Sequence, residues 1–307
     1  MANIIGVYSD ASTNKDLMKT LIRKVWNSTD GKEFMEYKEV VKDRRDSDEF
    51  VRDYRVGGLG LASEIKDGEN VILDSPKIGG IKETAMKSFA SGFRVTDRFK
   101  RFEKWQLVPG WTKNLKKRML ETKDIEIARL FNSATATTYA TGFDGFQLGY
   151  ASHTCLDASA TTYDNLLSAS LSHSAFESAM FYFDYLYDDN ALIMYVPFDQ
   201  LKLVVNYQLR NTAHEIFGSD KKAHEFSNTK NVLPDTPIFV YHRLTSTTSW
   251  FVIAPKHKDY DLWASTAMEP DIKIYNELDT TRDMVVTSYQ YFSYGFGDPR
   301  LAYIGNT

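Results

Sequence analysis

The stretch YRVGGLGLASEIKDGENVILDSPKIGG, residues 54–80, carries strand-forming residues, several glycines and a strong turn signal at Asp67-Gly68, yet little bulk to bury. Gly after Asp accepts the positive φ of a tight turn, so the spacing predicts a hairpin whose outgoing strand has Leu59, Leu61 and Ile65 alternating with small or polar residues. From Tyr54 to Lys66 an extended strand reaches roughly 40 Å at about 3.3 Å per residue. A lone two-stranded hairpin is marginal in water. The ribbon therefore needs a surface outside itself.

The return arm, IKETAMKSFASGFRVT, places Phe89, Phe93 and Val95 at even spacing, as a strand does. Thr96 is a candidate N-cap for a short helix with Phe99 and Phe102, and Pro109-Gly110 is expected to break or kink it. In TKNLKKRMLETKDIEIARLFNSAT, Leu115, Met119, Ile127, Leu130 and Phe131 form an apolar helical stripe, with the KNLKKR run as its solvated face. Upstream, NKDLMKTLIRKVW predicts a short helix with Leu17, Leu21 and Trp26 on one side, part of a polar arm.

Residues 134–170 read as loop, and Ser174 to Tyr187 as a helix rich in aromatics. PFDQLKLVVNYQLRNTAHEIFG predicts one long helix through Leu201, Val204, Val205, Leu209, Ile216 and Phe217, stopped by Gly218. PIFVYHRL and SWFVIAP are expected to pair through a Thr/Ser-rich turn, and VVTSYQYFSYGF with RLAYIG around Gly297-Asp298-Pro299.

With 307 residues and 43% hydrophobic composition the chain can build a real core. A net charge of -4 argues against a protein that grips phosphates. Cys155 is the only cysteine, so there is no internal disulfide and no thiolate cluster, which fits a reducing compartment. No signal peptide is expected from MANIIGVYSD, and FYFDYLYDDNALIMYV is interrupted by Asp184, Asp188 and Asp189, so no membrane span is expected either.

Catalytic patterns are missing: no P-loop, GxGxxG, HExxH, GxSxG or EF-hand loop, and GGLG at 57–60 lacks the Lys and Ser/Thr of a phosphate loop. The best enzymatic candidate is YASHTCLD, where His153, Cys155 and Asp157 alternate and so point the same way if extended. A working nucleophile and base normally come from separate parts of a fold, which disfavours it. His214, Glu215, His224 and Glu225 match no common metal spacing. No catalytic, cofactor or metal residue is expected.

Six segments in order, YRVGGLGLASEI, FASGFRVTD, GFDGFQLGYASH, NLLSASLSHSAFESAM, STTSWFVIAP and YFSYGFGDPRLAYIGN, resemble the major capsid proteins of tailed bacteriophages. The closest likeness is to the Mu-like prophage head subunits, which have the Hong Kong 97 capsid fold, and it runs from about Tyr54 to Asn306. The resemblance implies an α+β chain divided into an N-arm (1–47), an extended loop (48–92), a peripheral domain with a spine helix (93–190 and 283–307) and an axial domain (191–282). It implies a subunit that self-assembles as hexamers and pentamers into an icosahedral head around double-stranded DNA, without sequence-specific binding to that DNA. Its expected partners are further copies of itself, a separate scaffolding protein, a portal protein at one vertex and decoration proteins. Its place would be the virion, assembled in the host bacterial cytoplasm. An encapsulin-like shell, a soluble enzyme using the His153/Cys155 loop, and a tail component are the alternatives.

In that role the ribbon would lie on a neighbouring copy through Arg52, Asp53, Arg55, Leu59, Leu61, Ile65, Lys66 and Asp67. The alternating charges from Arg44 to Arg55 would set register. Gly57, Gly58, Gly79, Gly80, Gly92 and Pro109-Gly110 would be hinges between fivefold and sixfold rings. Two departures stand out. Where relatives carry an acidic pair after the returning arm, this chain has Asp97-Arg98-Phe99-Lys100-Arg101. Lys66, Lys77 and Asn306 carry no mark of the Lys-Asn cross-link that some relatives form, and no cross-link is expected. No long charged leader precedes the arm, hence the expectation of a separate scaffold.

Overall fold

The computed structural model describes residues 15–306 except positions 60, 63, 66, 68, 69, 72, 74, 76, 77, 97, 100, 101, 103, 157–161, 191, 220, 222–229, 234 and 277–282. Two sheets organise it. In the first, β9 (Leu262–Asn276) and β10 (Met284–Phe296) form a long antiparallel pair, flanked by β4 (Lys87–Val95) beside β10 and β1 (Lys42–Arg45), parallel, beside β9. The 15 residues of β9 span about 50 Å at ~3.3 Å each.

One face of this sheet is covered by helix α2 (Val108–Asn132) with α1 (Lys15–Ser28) against it. Leu115 and Met119 of α2 bury against Val95, Ile272, Met284 and Val286 of the strands. Farther along, Phe89 stacks on Phe292 with centroids 4.6 Å apart, joining β4 to β10. In α1 the buried stripe is Met18, Ile22 and Trp26, one step round from the predicted face, with Leu21 half-buried at its edge. Pro109 does not break a helix; it opens α2, since the first turn has no carbonyl partner for its missing N–H. Thr96 does cap the short turn before it, accepting from the Phe99 N–H at 3.3 Å.

The second sheet has the order β5-β11-β8-β6-β7, from β5 (Leu166–Leu167), β11 (Ala302–Gly305), β8 (Trp250–Ile253), β6 (Lys202–Val205) and β7 (Ile238–Val240). Helices α3 (His173–Asp184) and α4 (Arg210–Gly218) pack on the same core. Ser172 caps α3, its hydroxyl accepting from the Ala175 N–H at 3.2 Å.

The predicted long helix over 197–218 is corrected. Leu203, Val204 and Val205 are all fully buried, which a strand covered on both faces accommodates and an amphipathic helix does not. Asn206 then ends the strand, its amide donating to Leu244 O at 2.6 Å and accepting from the Gln208 N–H, so the α-helix is confined to Arg210–Gly218, with single 3-10 turns at Phe198–Gln200 and Tyr207–Leu209. Two expected local pairings are also replaced. β7 and β8 both flank β6 instead of each other, and β10 and β11 lie in different sheets, β10 pairing with the preceding β9 and with β4, and β11 with β5 and β8. β5 and α3 go with the second sheet, and most of the 262–276 strand belongs to the first.

The ribbon is shorter than expected. β2 (Phe50–Val56) pairs antiparallel with β3 (Ile78–Ala85), and the strand stops at Gly57-Gly58, which offer no side chains to a ladder, instead of running to Lys66. Gly68 of the predicted turn lies outside the described residues.

Two of the candidate hinge glycines have opposite settings. Gly92 faces Thr287 across β4 and β10, and a Cβ there would lie 2.5 Å from Val286 O, so glycine permits the close approach of two strands. Gly110, inside the first turn of α2, has open space around it. Gly92→Ala is expected to destabilise the subunit by about 2–3 kcal/mol through forced strand separation. Gly110→Ala is expected to stabilise it by about 0.5–1 kcal/mol through helix propensity. Urea unfolding of the two variants checks both signs.

Candidate assembly site

Alternation along β2 and β3 gives the ribbon base two chemically different faces. The inner face carries Val51, Asp53 and Arg55 with Lys82 and Thr84 opposite; the outer face carries Phe50, Arg52, Tyr54 and Val56 with Ile78, Ile81 and Glu83. The inner face sits on the body of the subunit, where β3 also accepts a hydrogen bond from Ser293 Oγ at Ala85 O, 3.0 Å.

Charges hold it there. Asp53 accepts from Arg44 at 2.7 Å, and Arg44 reaches on to Asp261 at 2.8 Å while lying over the Trp263 ring. Arg55 donates to Asp189 at 2.7 Å and to Thr154 O at 3.1 Å. Asp189 also accepts from Arg300 at 2.7 Å, and Arg300 binds Asp298 at 2.8 Å, whose other oxygen takes the Tyr163 hydroxyl at 2.9 Å. From the returning strand, Lys82 donates to Phe296 O at 2.7 Å and to Thr141 O. A cleft of about 570 Å³ runs along this seam, lined by Arg44, Asp53, Arg55, Asp189, Asp261, Asp298 and Arg300 and by Lys42, Asp188 and Asp259.

Burial would raise the Asp189 carboxyl, but the Arg300 charge and the hydrogen bonds from Arg55 and Arg300 outweigh it and hold it below the usual carboxylate range. For Asp261 burial wins over Arg44 and the carboxyl is pushed up. Lys82 is brought down to about 8 by burial, against the pull of Asp53, Asp261 and Asp144.

The expected contact residues thus divide. Arg52, Asp53 and Arg55 have partners within their own chain, Arg52 pairing with Glu83 at 2.9 Å on the exposed outer face. Leu59, Leu61 and Ile65 are exposed, as are Val71 and Leu73, with Leu61 at 78% and Leu73 at 89%. Asp67 is exposed as well, and Lys66 lies outside the described residues. Gly58 and Gly79 sit where the ribbon meets the body: a Cβ on Gly79 would meet Leu156 and Arg55, and one on Gly58 would touch Asn190, whose amide donates to Leu59 O at 3.3 Å. Gly57 is buried beside them, and Gly80 has open space. Asp189, Asp261, Asp298, Arg300 and Lys82 were not singled out from sequence; their only signal was charge interrupting apolar runs.

The enzymatic candidate falls apart. His153 is buried, its Nδ1 2.6 Å from the Asp144 carboxylate and its ring stacked on Tyr163. Burial outweighs the neighbouring charges and raises the Cys155 thiol, the opposite of an activated nucleophile. Asp157, His224 and Glu225 lie outside the described residues, and His214 and Glu215 line an open surface hollow beside Gly218. Among the described residues no cluster of His, Cys, Asp and Glu could hold a metal, and no helix is long and apolar enough to cross a membrane. Asn306 has its side-chain oxygen engaged by Ser249 Oγ at 2.7 Å; Lys66, Lys77, Asp97, Lys100 and Arg101 lie outside the described residues.

The sequence profile of the family described as phage capsid protein matches residues 81–304. No curated protein sequence matches the chain. Among solved structures, the chain is similar to the capsid of the cyanophage P-SCSP1u, with a TM-score of 0.60 and 12% identity over 87% of this chain and 86% of that one. It is also similar to the head of Helicobacter pylori bacteriophage KHP40, at 0.54 and 11% over 87% and 88%. The procapsid of bacteriophage JBD30 gives 0.53 and 12% over 95% of this chain and 74% of that one. At these identities the likeness is one of fold.

Between pH 8 and 10.5 the unfolded chain holds the Lys82 proton that the folded chain has released, so stability from this group rises with pH across that window. A neutral amine still donates to both carbonyls. In urea titrations of the unassembled subunit, the wild type is expected to gain about 1 kcal/mol on Lys82→Met between pH 7.5 and pH 10, after allowance for solvent screening at a partly exposed site.

Proposed function

The chain belongs to the phage capsid protein family, a structural subunit of a tailed-phage shell with the Hong Kong 97-type fold, and we propose that it closes into hexamers and pentamers by laying its ribbon across a neighbouring copy. The observation that carries this reading is the two-faced ribbon: its inner face is fixed to its own body by ion pairs, while the outer face exposes Tyr54, Val56, Ile78 and Ile81 beside the Arg52–Glu83 pair, and Leu61 and Leu73 of the segment beyond are exposed as well. A monomer gains nothing from exposing Tyr54, Val56, Leu61, Leu73, Ile78 and Ile81 together, and contiguous exposed apolar surface of this kind marks a protein contact.

In the assembled head, the first sheet with α2 is the peripheral unit, α2 being the spine helix, and the second sheet with α3 and α4 is the axial unit; the strand order, which keeps the two sheets distinct, supports that division, and the two share a core where Leu262, Phe292 and Phe296 meet the second sheet. The order of the six sequence motifs supports membership in the Mu-like group. A separate scaffolding protein, a portal at one vertex and decoration proteins complete the particle, which forms in the bacterial cytoplasm around double-stranded DNA. The net charge of -4 suits a wall that does not retain the genome. The subunit performs no catalysis.

Sedimentation and electron microscopy of the purified protein test the reading: closed megadalton particles are expected, and a discrete 35.1 kDa species would refute it. Deleting residues 63–73 is expected to leave a soluble subunit that forms no closed shell. Cys155→Ala is expected to leave shell assembly unchanged, with particle yield as the readout.

A further inference from the structure

Residues 185–195 turn back on themselves just after α3. Tyr187 and Ile193 are antiparallel bridge partners, and the Asp188 N–H donates to Leu192 O at 2.8 Å and the Met194 N–H to Leu186 O at 2.7 Å. That register sets Tyr185 opposite Tyr195. Residues two apart share a face, so Tyr185, Tyr187, Ile193 and Tyr195 lie together on one side of the hairpin, while Leu186 and Met194 turn into the core. Phe181, one helical turn before Tyr185, extends the same surface. Exposure is 63% for Phe181, 66% for Tyr185, 63% for Ile193 and 81% for Tyr195.

Among the described residues nothing in the subunit covers this face. Its own ribbon is held at the hairpin tip, by Arg55 to Asp189 and by the Asn190 amide to Leu59 O, and leaves Tyr54, Val56, Ile78 and Ile81 exposed. With aromatic side chains presenting about 150–250 Å² each, the five residues offer roughly 600 Å². A stable partner needs about 800 Å² per side, so the patch provides most of one half of an interface. Tyrosine-rich patches of this kind carry binding hot spots.

We propose that this hairpin face is the seat for the outer ribbon face of a second copy, the surface of Tyr54, Val56, Ile78 and Ile81; this rests on reading the protein as a self-assembling shell subunit. Each molecule then carries both halves of the contact at different places. Such a head-to-tail contact closes into rings, whereas a hairpin-on-hairpin contact would end at a pair and leave the ribbon bare. It also accounts for two apolar surfaces lying exposed on one chain.

The test uses full-length protein with Cys155→Ser, carrying Val56→Cys in one preparation and Tyr195→Cys in another, co-assembled in equal amounts or assembled singly and then treated with a flexible bis-maleimide, so that no bridge can form within one chain. Co-assembled particles are expected to give covalent dimers on denaturing gels, and each single variant a monomer. Monomer alone from well-formed co-assembled particles would overturn the seat and leave the shell reading standing; dimers from Tyr195→Cys alone would overturn it in favour of hairpin pairing. Wild-type protein that never forms particles would overturn both. A second variant, Tyr185→Ser with Tyr195→Ser, alters only exposed side chains, so the subunit should melt within a few degrees of wild type. Its particle yield is expected to fall at least tenfold, and an undiminished yield would likewise overturn the proposal.

Discussion

The buried charges at the base of the ribbon are the constraint on which the rest of the molecule depends. Two strands of seven and eight residues cannot bury enough of themselves to hold a direction. Asp53, Arg55 and Lys82 supply that direction by engaging Arg44, Asp189 and the carbonyls of Thr141 and Phe296. Buried ion pairs contribute little net stability, since desolvation offsets much of their attraction, but they accept very few geometries. Their effect here is orientation. With one face committed to charge, the period of two leaves the other face free to be apolar.

The location of these charges is informative. Phe296 ends β10, and Asp298 and Arg300 belong to the short passage from it to β11, where the chain leaves one sheet for the other. Asp261 stands at the matching entry to β9, and a Cβ on Gly297 would lie 2.0 Å from its carboxylate, so the passage is as tight as the chain allows. The ribbon is therefore fastened to the joint between the two sheets and follows the angle between them.

Much of this was legible beforehand where the pattern was long and local. α2, α3, β4 and β10 follow from periodicity, and the six motifs gave the fold. Pattern misled where burial is two-sided: Leu203-Val204-Val205 satisfies helix and strand alike until the neighbours on both faces are known. Strand partners were read for the ribbon, where β2 does meet the returning β3, but not for β7 with β8 or β10 with β11, whose partners lie elsewhere in the sheets. Arg55 illustrates the same limit. Its partner Asp189 is 134 residues away, so a buried orienting contact looked like one of several rim charges. At Gly92 the pattern showed a glycine but not the neighbouring strand whose close approach it permits.

Strand β11 lies between β5 and β8, pairing with residues near 166 on one side and near 251 on the other. Without it β5 has no neighbour and β8 has a bare edge. The second sheet thus cannot close until the ribosome has passed residue 305, and a nascent chain cut short of β11 has no complete second sheet. Synthesis itself becomes a timer: a truncated product lacks the strand that knits its earlier segments together.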